Sequence, residues 1–398
     1  MKILLVQDAD WTKKGPHQQH HLMELLSLEG HEIVVIGFDQ LWDGKGLLSK
    51  REVSENVERF YKGANVTFIK PPFIKMKILD YISFLLSSRS EIKKSINEFE
   101  PDIVIGVTSV LSNYWGMHYA RKRKIPFIYY WTDIIHTLIP FKPFQPVAKS
   151  IEKNIIKNSS NILVINEVLK EQVVNLGANE SITDIIPGGI DFNRFNPLTI
   201  DSNQFRKNYG ISDDDLLLFF MGWIYEFSGL KEVILELSKV RKSKPHIKLM
   251  IVGEGDSYLE LKSLVKKLKL EDTVIMTGLM PYNDIPKLIA SADICLLPAY
   301  NNEIMRDIVP IKMYEYLAMY KPVISTELPG VMKEFGEESG VLYVDKPQNV
   351  IDQVLALTED DIELNRSRAK NFIQNHDWQL ILSQFEDCLN NLANECSK

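Results

Sequence analysis

The chain has 398 residues, 45% of them hydrophobic and 25% charged, with no low-complexity segment, which fits a globular protein of two ordinary domains. A net charge of −7 and a pI near 5.7 exclude nucleic acid as the main partner. The charge is uneven, for residues 1–195 hold 24 Lys+Arg against 22 Asp+Glu and the remainder 22 against 31. Cys295, Cys388 and Cys396 have neither metal spacing nor a disulfide framework, which suits a reducing compartment. No apolar run reaches the length of a membrane span, and residues 2–6 are too short for a signal-peptide core.

The first half alternates strand and helix. Ile3–Val6 reads as a strand, Gln18–Leu28 as a helix closed by Gly30, and His31–Ile36 as a second strand. Short apolar runs follow at 66–69, 103–106, 127–130, 162–165 and 183–186, as a parallel sheet buried on both faces requires. Such a sheet binds ligands beyond the carboxyl ends of its strands. Three loops lie there: 8–17, with Gly15, Pro16 and His17; 131–136, with Asp133 and His136; and 186–191, Ile-Pro-Gly-Gly-Ile-Asp. Asp8 and Asp10 share the first loop, but two carboxylates in one loop do not make a metal site. Residues 68–86 combine Lys70, Lys75 and Lys77 with Phe73, Ile74 and Leu86. They read either as a basic, apolar helix on an anionic bilayer or as a core helix with a solvated lysine edge.

A linker near Asn196-Pro197 opens the second half. Strands are expected at 216–221, 248–252 and 273–276, each running into a glycine-bearing loop: Gly222 to Gly229, Gly253-Glu254-Gly255, and Thr277 to Pro281. A Gly-x-Gly after a strand and before a helix is the setting of a nucleotide loop. A buried strand near 293–297 leads to residues 307–329, where Pro310 starts a helix over 311–320 and Lys321-Pro322 stops it before a strand at 323–326. The N–H groups at that helix start favour anions. Lys312 stands in the first turn, where the dipole disfavours a cation unless an anion joins it, and Glu315 lies three residues on. A last helix is expected over 378–392.

Pro310-Ile311-Lys312, Glu315-Tyr316-Leu317-Ala318 and Lys321-Pro322-Val323-Ile324 together resemble the nucleotide-sugar site of GT-B glycosyltransferases, family four in particular. That resemblance implies an α/β fold of two Rossmann-like, doubly wound domains facing across a cleft. Residues 1–195, completed by 376–398, would form the acceptor domain and 196–375 the donor domain. It implies a retaining, metal-independent enzyme with no cofactor, the nucleotide sugar being a co-substrate, and a glycan or lipid-linked acceptor. Glu315 would hold the donor ribose, and Asp307, eight residues earlier, the donor sugar, with Glu303 as its substitute. Gly222, Gly253 and Met280 would line the donor, Asp133 and His136 the reacting sugar, and Gly15, Pro16 and His17 the acceptor and phosphate side. The family grips the diphosphate with an Arg–Lys pair where this chain has Trp223 and Ser228, so Lys231, Lys312 or Arg306 would supply the charge. A non-catalytic nucleotide-sugar binder and a GT-B epimerase are the alternatives. The expected location is the cytoplasm, with attachment to an anionic membrane face through residues 68–86.

Overall fold

The computed structural model describes residues 1–9, 11, 12, 17–38, 46–76, 79–107, 109–139, 142–201 and 203–396. The chain divides into two compact units, one of residues 1–188 with 378–398 and one of residues 189–377.

The first unit runs β1 (Lys2–Val6), α1 (Gln18–Leu28), β2 (Glu32–Ile36), β3 (Leu48–Ser49), β4 (Glu52–Val57), β5 (Val66–Lys70), β6 (Phe73–Ile74), α2 (Leu79–Glu98), β7 (Ile103–Val107), α3 (Leu111–Lys122), β8 (Phe127–Trp131), α4 (Gln145–Asn158), β9 (Asn161–Val164), α5 (Glu167–Asn175) and β10 (Thr183–Ile185). Among the described residues its main sheet has the order β10-β9-β8-β7-β1-β2-β5-β4, parallel except for the antiparallel edge strand β4. Alternate residues along each strand serve opposite faces. Ile3, Leu5, Ile33, Val35, Ile103 and Ile105 pack under α1. Leu4, Val6, Val34, Ile36 and Val104 pack under α2, α3, α4 and α5.

The second unit runs α6 (Asn203–Asn208), β11 (Leu216–Met221), α7 (Leu230–Val240), β12 (Ile247–Val252), α8 (Tyr258–Lys267), β13 (Val274–Gly278), α9 (Ile285–Ser291), β14 (Ile294–Leu297), α10 (Ile311–Ala318), β15 (Val323–Thr326), α11 (Pro329–Phe335), β16 (Val341–Val344), α12 (Val350–Ala356) and α13 (Glu359–Ile373). Its sheet, β13-β12-β11-β14-β15-β16 among the described residues, is parallel throughout. One core holds α9, α10, α11 and α13, the other α7, α8 and α12. The last helix, α14 (Trp378–Cys396), returns to the first unit, where Trp378 stacks on His21 with ring centroids 4.9 Å apart.

Two expectations need correction, and one strand was not expected. The helix expected over 311–320 ends at Ala318, because Tyr320 takes a left-handed backbone, φ 53°, and Met319 caps the last turn. Residues 68–86 are not one helix. Pro71-Pro72 divide them into β5, β6 and the first turns of α2, with Phe68, Phe73 and Phe84 in the core. Lys70 is half-buried and pairs with Glu52 at 2.6 Å, and Lys77 lies outside the described residues. Strand β4 was not expected, since Glu-Val-Ser-Glu-Asn-Val is exposed along nearly its whole length and carries no apolar alternation.

Candidate active site

The second unit gathers several of the expected residues at one sheet edge. Pro310 precedes α10 with ψ 134°, no side chain caps the helix, and its first turn contains no acid. The N–H groups of Ile311 and Lys312 therefore have no partner within the helix. Tyr316 fixes this end to the sheet by accepting the Met221 N–H through its hydroxyl at 2.9 Å.

Lys312 reaches back to the end of β11. Its Nζ lies 4.4 Å from the centre of the Phe220 ring, and a Cβ on Gly222 would meet it at 2.6 Å. The flexible lysine could give way to a Cβ, so what holds Gly222 to glycine is its φ of 129°. Gly253 is held likewise, since a Cβ there would lie 2.1 Å from the Gly222 carbonyl oxygen. The Lys312 side chain keeps some surface open, yet its surroundings are dense, and desolvation lowers its pKa to about 8 against the pull of Glu315.

Glu315 is buried one turn below. Desolvation raises its pKa to about 7, while a 2.9 Å hydrogen bond donated by Tyr282 and the charges of Lys312 and Arg194 oppose the rise. The Arg194 guanidinium lies over the Tyr282 ring at 4.9 Å. The structure therefore adds Tyr282 and Arg194 to the expected set. Tyr282 follows directly on the 277–281 loop, but Arg194 carries no sequence signal at all.

The other expected donor residues are more dispersed. Trp223 is 51% exposed and its indole N–H donates to Asp256 at 3.1 Å. Ser228 is buried in the turn before α7. Lys231 is exposed and engaged with Glu260 at 2.8 Å. Arg306 has a side chain 55% exposed, with Nε 3.6 Å from the Asp307 carboxylate. The Asp307 backbone runs close over Gly330, where a Cβ would lie 2.7 Å from its carbonyl oxygen, and the Gly330 N–H donates to the Arg306 carbonyl at 2.7 Å. Glu303 is exposed, and the Met280 sulfur lies 3.9 Å from the Tyr209 hydroxyl.

In the first unit His136 sits in a 3₁₀ turn after β8, buried, with Nδ1 hydrogen-bonded to Glu152 of α4. Glu152 is fully buried, and its other oxygen accepts from the Trp131 indole at 2.9 Å and the Tyr129 hydroxyl at 3.2 Å. Sequence reasoning missed Glu152. Its signal was a carboxylate set in the buried stripe of Ala148, Ile155 and Ile156 on α4. Asp133 accepts the Ile134 N–H at 2.8 Å, and burial raises its pKa. The His17 N–H donates to His20 at 3.1 Å, and His20 stacks on the buried Trp11 ring. Gly15 and Pro16 lie outside the described residues. Chemically, the second unit offers helix N–H groups and an ammonium for an anion beside a carboxylate for hydroxyls. The first offers an imidazole fixed by a buried carboxylate.

Residues 201–376 match the model for glycosyl transferases group 1, and residues 19–194 match that for glycosyltransferase family 4. N-acetyl-alpha-D-glucosaminyl L-malate synthase of Bacillus anthracis is 26% identical over 47% of this chain and 48% of its own length. Alpha-monoglucosyldiacylglycerol synthase of Streptococcus pneumoniae is 22% identical over 60% and 55%. The chain spans about half the length of the curated relatives it matches. HepE of Anabaena, solved in complex with UDP, superposes with a TM-score of 0.73 at 16% identity, over 98% of this chain and 100% of that one. Sucrose-phosphate synthase of Thermosynechococcus elongatus superposes with a TM-score of 0.74 at 17% identity, over 98% of each. The two family matches follow one another along the chain, one to each unit, and with this fold they make the chain a member of glycosyltransferase family 4, of GT-B architecture.

Proposed function

We propose that the protein is a glycosyltransferase that takes a hexose from a nucleotide sugar held on the second unit and passes it to a glycan or lipid-linked acceptor at the first. The observation that carries this reading is the pair Lys312 and Glu315 at the uncapped start of α10. A diphosphate meets the helix N–H groups and the Lys312 ammonium, and ribose hydroxyls meet the Glu315 carboxylate. Fixed positive charge of this kind stabilises a departing diphosphate without a bound metal, and the donor is the only other small molecule required. Asp307, with Glu303 beside it on the loop, attends the donor sugar, and Asp133 and His136 attend the reacting carbon. Transfer is proposed to retain the anomeric configuration by a front-face, oxocarbenium-like path, as in the family. The enzyme is expected to work at the cytoplasmic side of a membrane, where nucleotide sugars are available. HepE was solved with UDP and with UDP-glucose, so uridine donors are the first to test.

The experiment is a panel of nucleotide sugars, scored first by the rise in Tm and then by transfer to candidate acceptors. The accepted donor should stabilise the protein most between about pH 7 and 8. Below pH 7 Glu315, whose folded pKa is raised, takes a proton and stops accepting ribose hydroxyls. Above pH 8 Lys312, whose folded pKa is lowered, loses its charge. In the free protein the signs are opposite. Stability falls as pH rises from 4.5 toward 7 and Glu315 ionises, and rises from 8 toward 10.5, where the unfolded chain binds more protons at Lys312. Donor binding that is flat across this range would contradict the assignment.

A second reading, a binder without transferase activity, is favoured by one observation. Trp223 and Ser228 carry no charge where the family holds the diphosphate. Donor-dependent stabilisation with no transfer and no donor hydrolysis would select it.

A further inference from the structure

The helices α2, α3 and α4 lie side by side on one face of the first sheet, and their outer surface differs from the rest of this acidic chain. α2 exposes three bases, α3 and the turn after it expose four at 121–124, and α4 exposes three. The same helices and the segments directly after them expose three acids, Glu98, Glu100 and Asp102, against those ten bases, and Glu98 pairs with Lys94 at 3.8 Å. Between α3 and α4 lies a groove of about 450 Å³ lined by Tyr114, His118, Arg121, Lys122, Asn154 and Asn158. Burial lowers the His118 pKa, and Lys122, Arg89 and Arg121 lower it further, the mark of an uncompensated positive field. Aromatic rings lie in this layer: Arg89 stacks on Trp115 at 4.3 Å and donates to the Tyr119 hydroxyl at 3.2 Å.

Exposed apolar side chains occupy the other end of these helices. Ile82 and Leu86 are in the first turns of α2, Leu86 72% exposed; Leu111 opens α3, and Val147 is in the first turn of α4. Each helix runs back from the carboxyl edge of the sheet, so the apolar side chains gather at that edge and the bases lie behind them. A soluble polyanion has no use for the apolar rim. A bilayer uses both parts, the rim entering the headgroup boundary and the bases meeting lipid phosphates, with Trp and Tyr at the level between.

We propose that the outer face of α2, α3 and α4 docks on an anionic phospholipid bilayer, with the α3–α4 groove taking a lipid phosphate group. This rests on the reading of a glycan or lipid-linked acceptor met at a membrane. It moves the contact from Lys70 and Lys75 to Arg121, Lys122 and Lys153, and it turns the sheet edge that carries His136 toward the lipid.

The test is flotation of the full chain with phosphatidylcholine vesicles, with and without phosphatidylglycerol, at low and high salt. The wild type should float only with the anionic vesicles, and high salt should release it. The triple variant Arg121→Glu/Lys122→Glu/Lys153→Glu should lose about a hundredfold in partitioning. The triple variant Lys262→Glu/Lys266→Glu/Lys267→Glu, with the same charge change on exposed residues of α8, should float like the wild type. Leu86→Ser/Val147→Ser should weaken flotation and leave its salt dependence intact. The proposal is overturned if the wild type stays in solution with anionic vesicles at low salt, or if both triple variants lose binding equally. It is overturned too if polyphosphate binds this face while Leu86→Ser/Val147→Ser floats normally, which marks a soluble polyanion as the partner. Donor-induced Tm shifts measured on the same samples separate the two claims, since a surface variant that fails to float and still responds to donor leaves the transferase reading standing.

Discussion

Lys312→Ala is expected to lower kcat/KM by about 10²–10³-fold, the usual cost of removing one preorganised charge-stabilising donor. The fold should tolerate the change. In the free protein the Lys312 ammonium is poorly solvated, with its pKa lowered to about 8, so the native state gains little from it. Tm should therefore move little while activity collapses, a split that a structural lysine would not show. Ser228→Lys, which restores a cation to the turn before α7, should return part of the lost activity. Wild-type activity in Lys312→Ala would move the diphosphate charge to Arg306. Lys231 is the weaker substitute, because it is already engaged with Glu260.

His136→Ala and Glu152→Gln should each reduce kcat by about 10²–10⁴-fold, the range spanned by a positioned acid–base group. Glu152 holds His136 by Nδ1, so Nδ1–H donates and Nε2 is left as the acceptor. Glutamine keeps the volume, and its carbonyl oxygen still accepts from Trp131 and Tyr129. Its amide, however, presents N–H groups to Nδ1 and forces the proton to Nε2. The fold is thus preserved and the tautomer reversed. Glu152→Gln with wild-type kcat would show that the pair only packs. Loss of kcat with an unchanged Tm would show that it orients the imidazole.

Much of the fold was legible because buried parallel strands are written as short apolar runs. β11, β15 and α1 fall where periodicity, Pro and Gly put them. The edge strand β4 was not, because an exposed strand needs no apolar alternation and its pairing with β5 is a tertiary fact. Residues 68–86 were misread for a related reason. Their composition suits an amphipathic helix, yet Pro71-Pro72 forbid one, and Phe73 and Phe84 are drawn into a small core with Phe38. In the site, Lys312 and Glu315 stood out because both lie on one helix at three-residue spacing. Tyr282, Arg194 and Glu152 did not, since each reaches its partner only through the fold. Gly222 was legible as a loop glycine, but the reason it must be one, a backbone φ of 129°, is set by the fold.

The central claim is that the start of α10 binds a nucleotide sugar through Glu315. Calorimetric titration of wild type and Glu315→Ala with the donor selected by the panel tests it most directly. A loss of roughly 1.5–3 kcal/mol in binding free energy is expected, the worth of hydrogen bonds to a charged carboxylate, with the variant folded and its Tm without donor unchanged or raised. Equal donor affinity in a folded Glu315→Ala would contradict it.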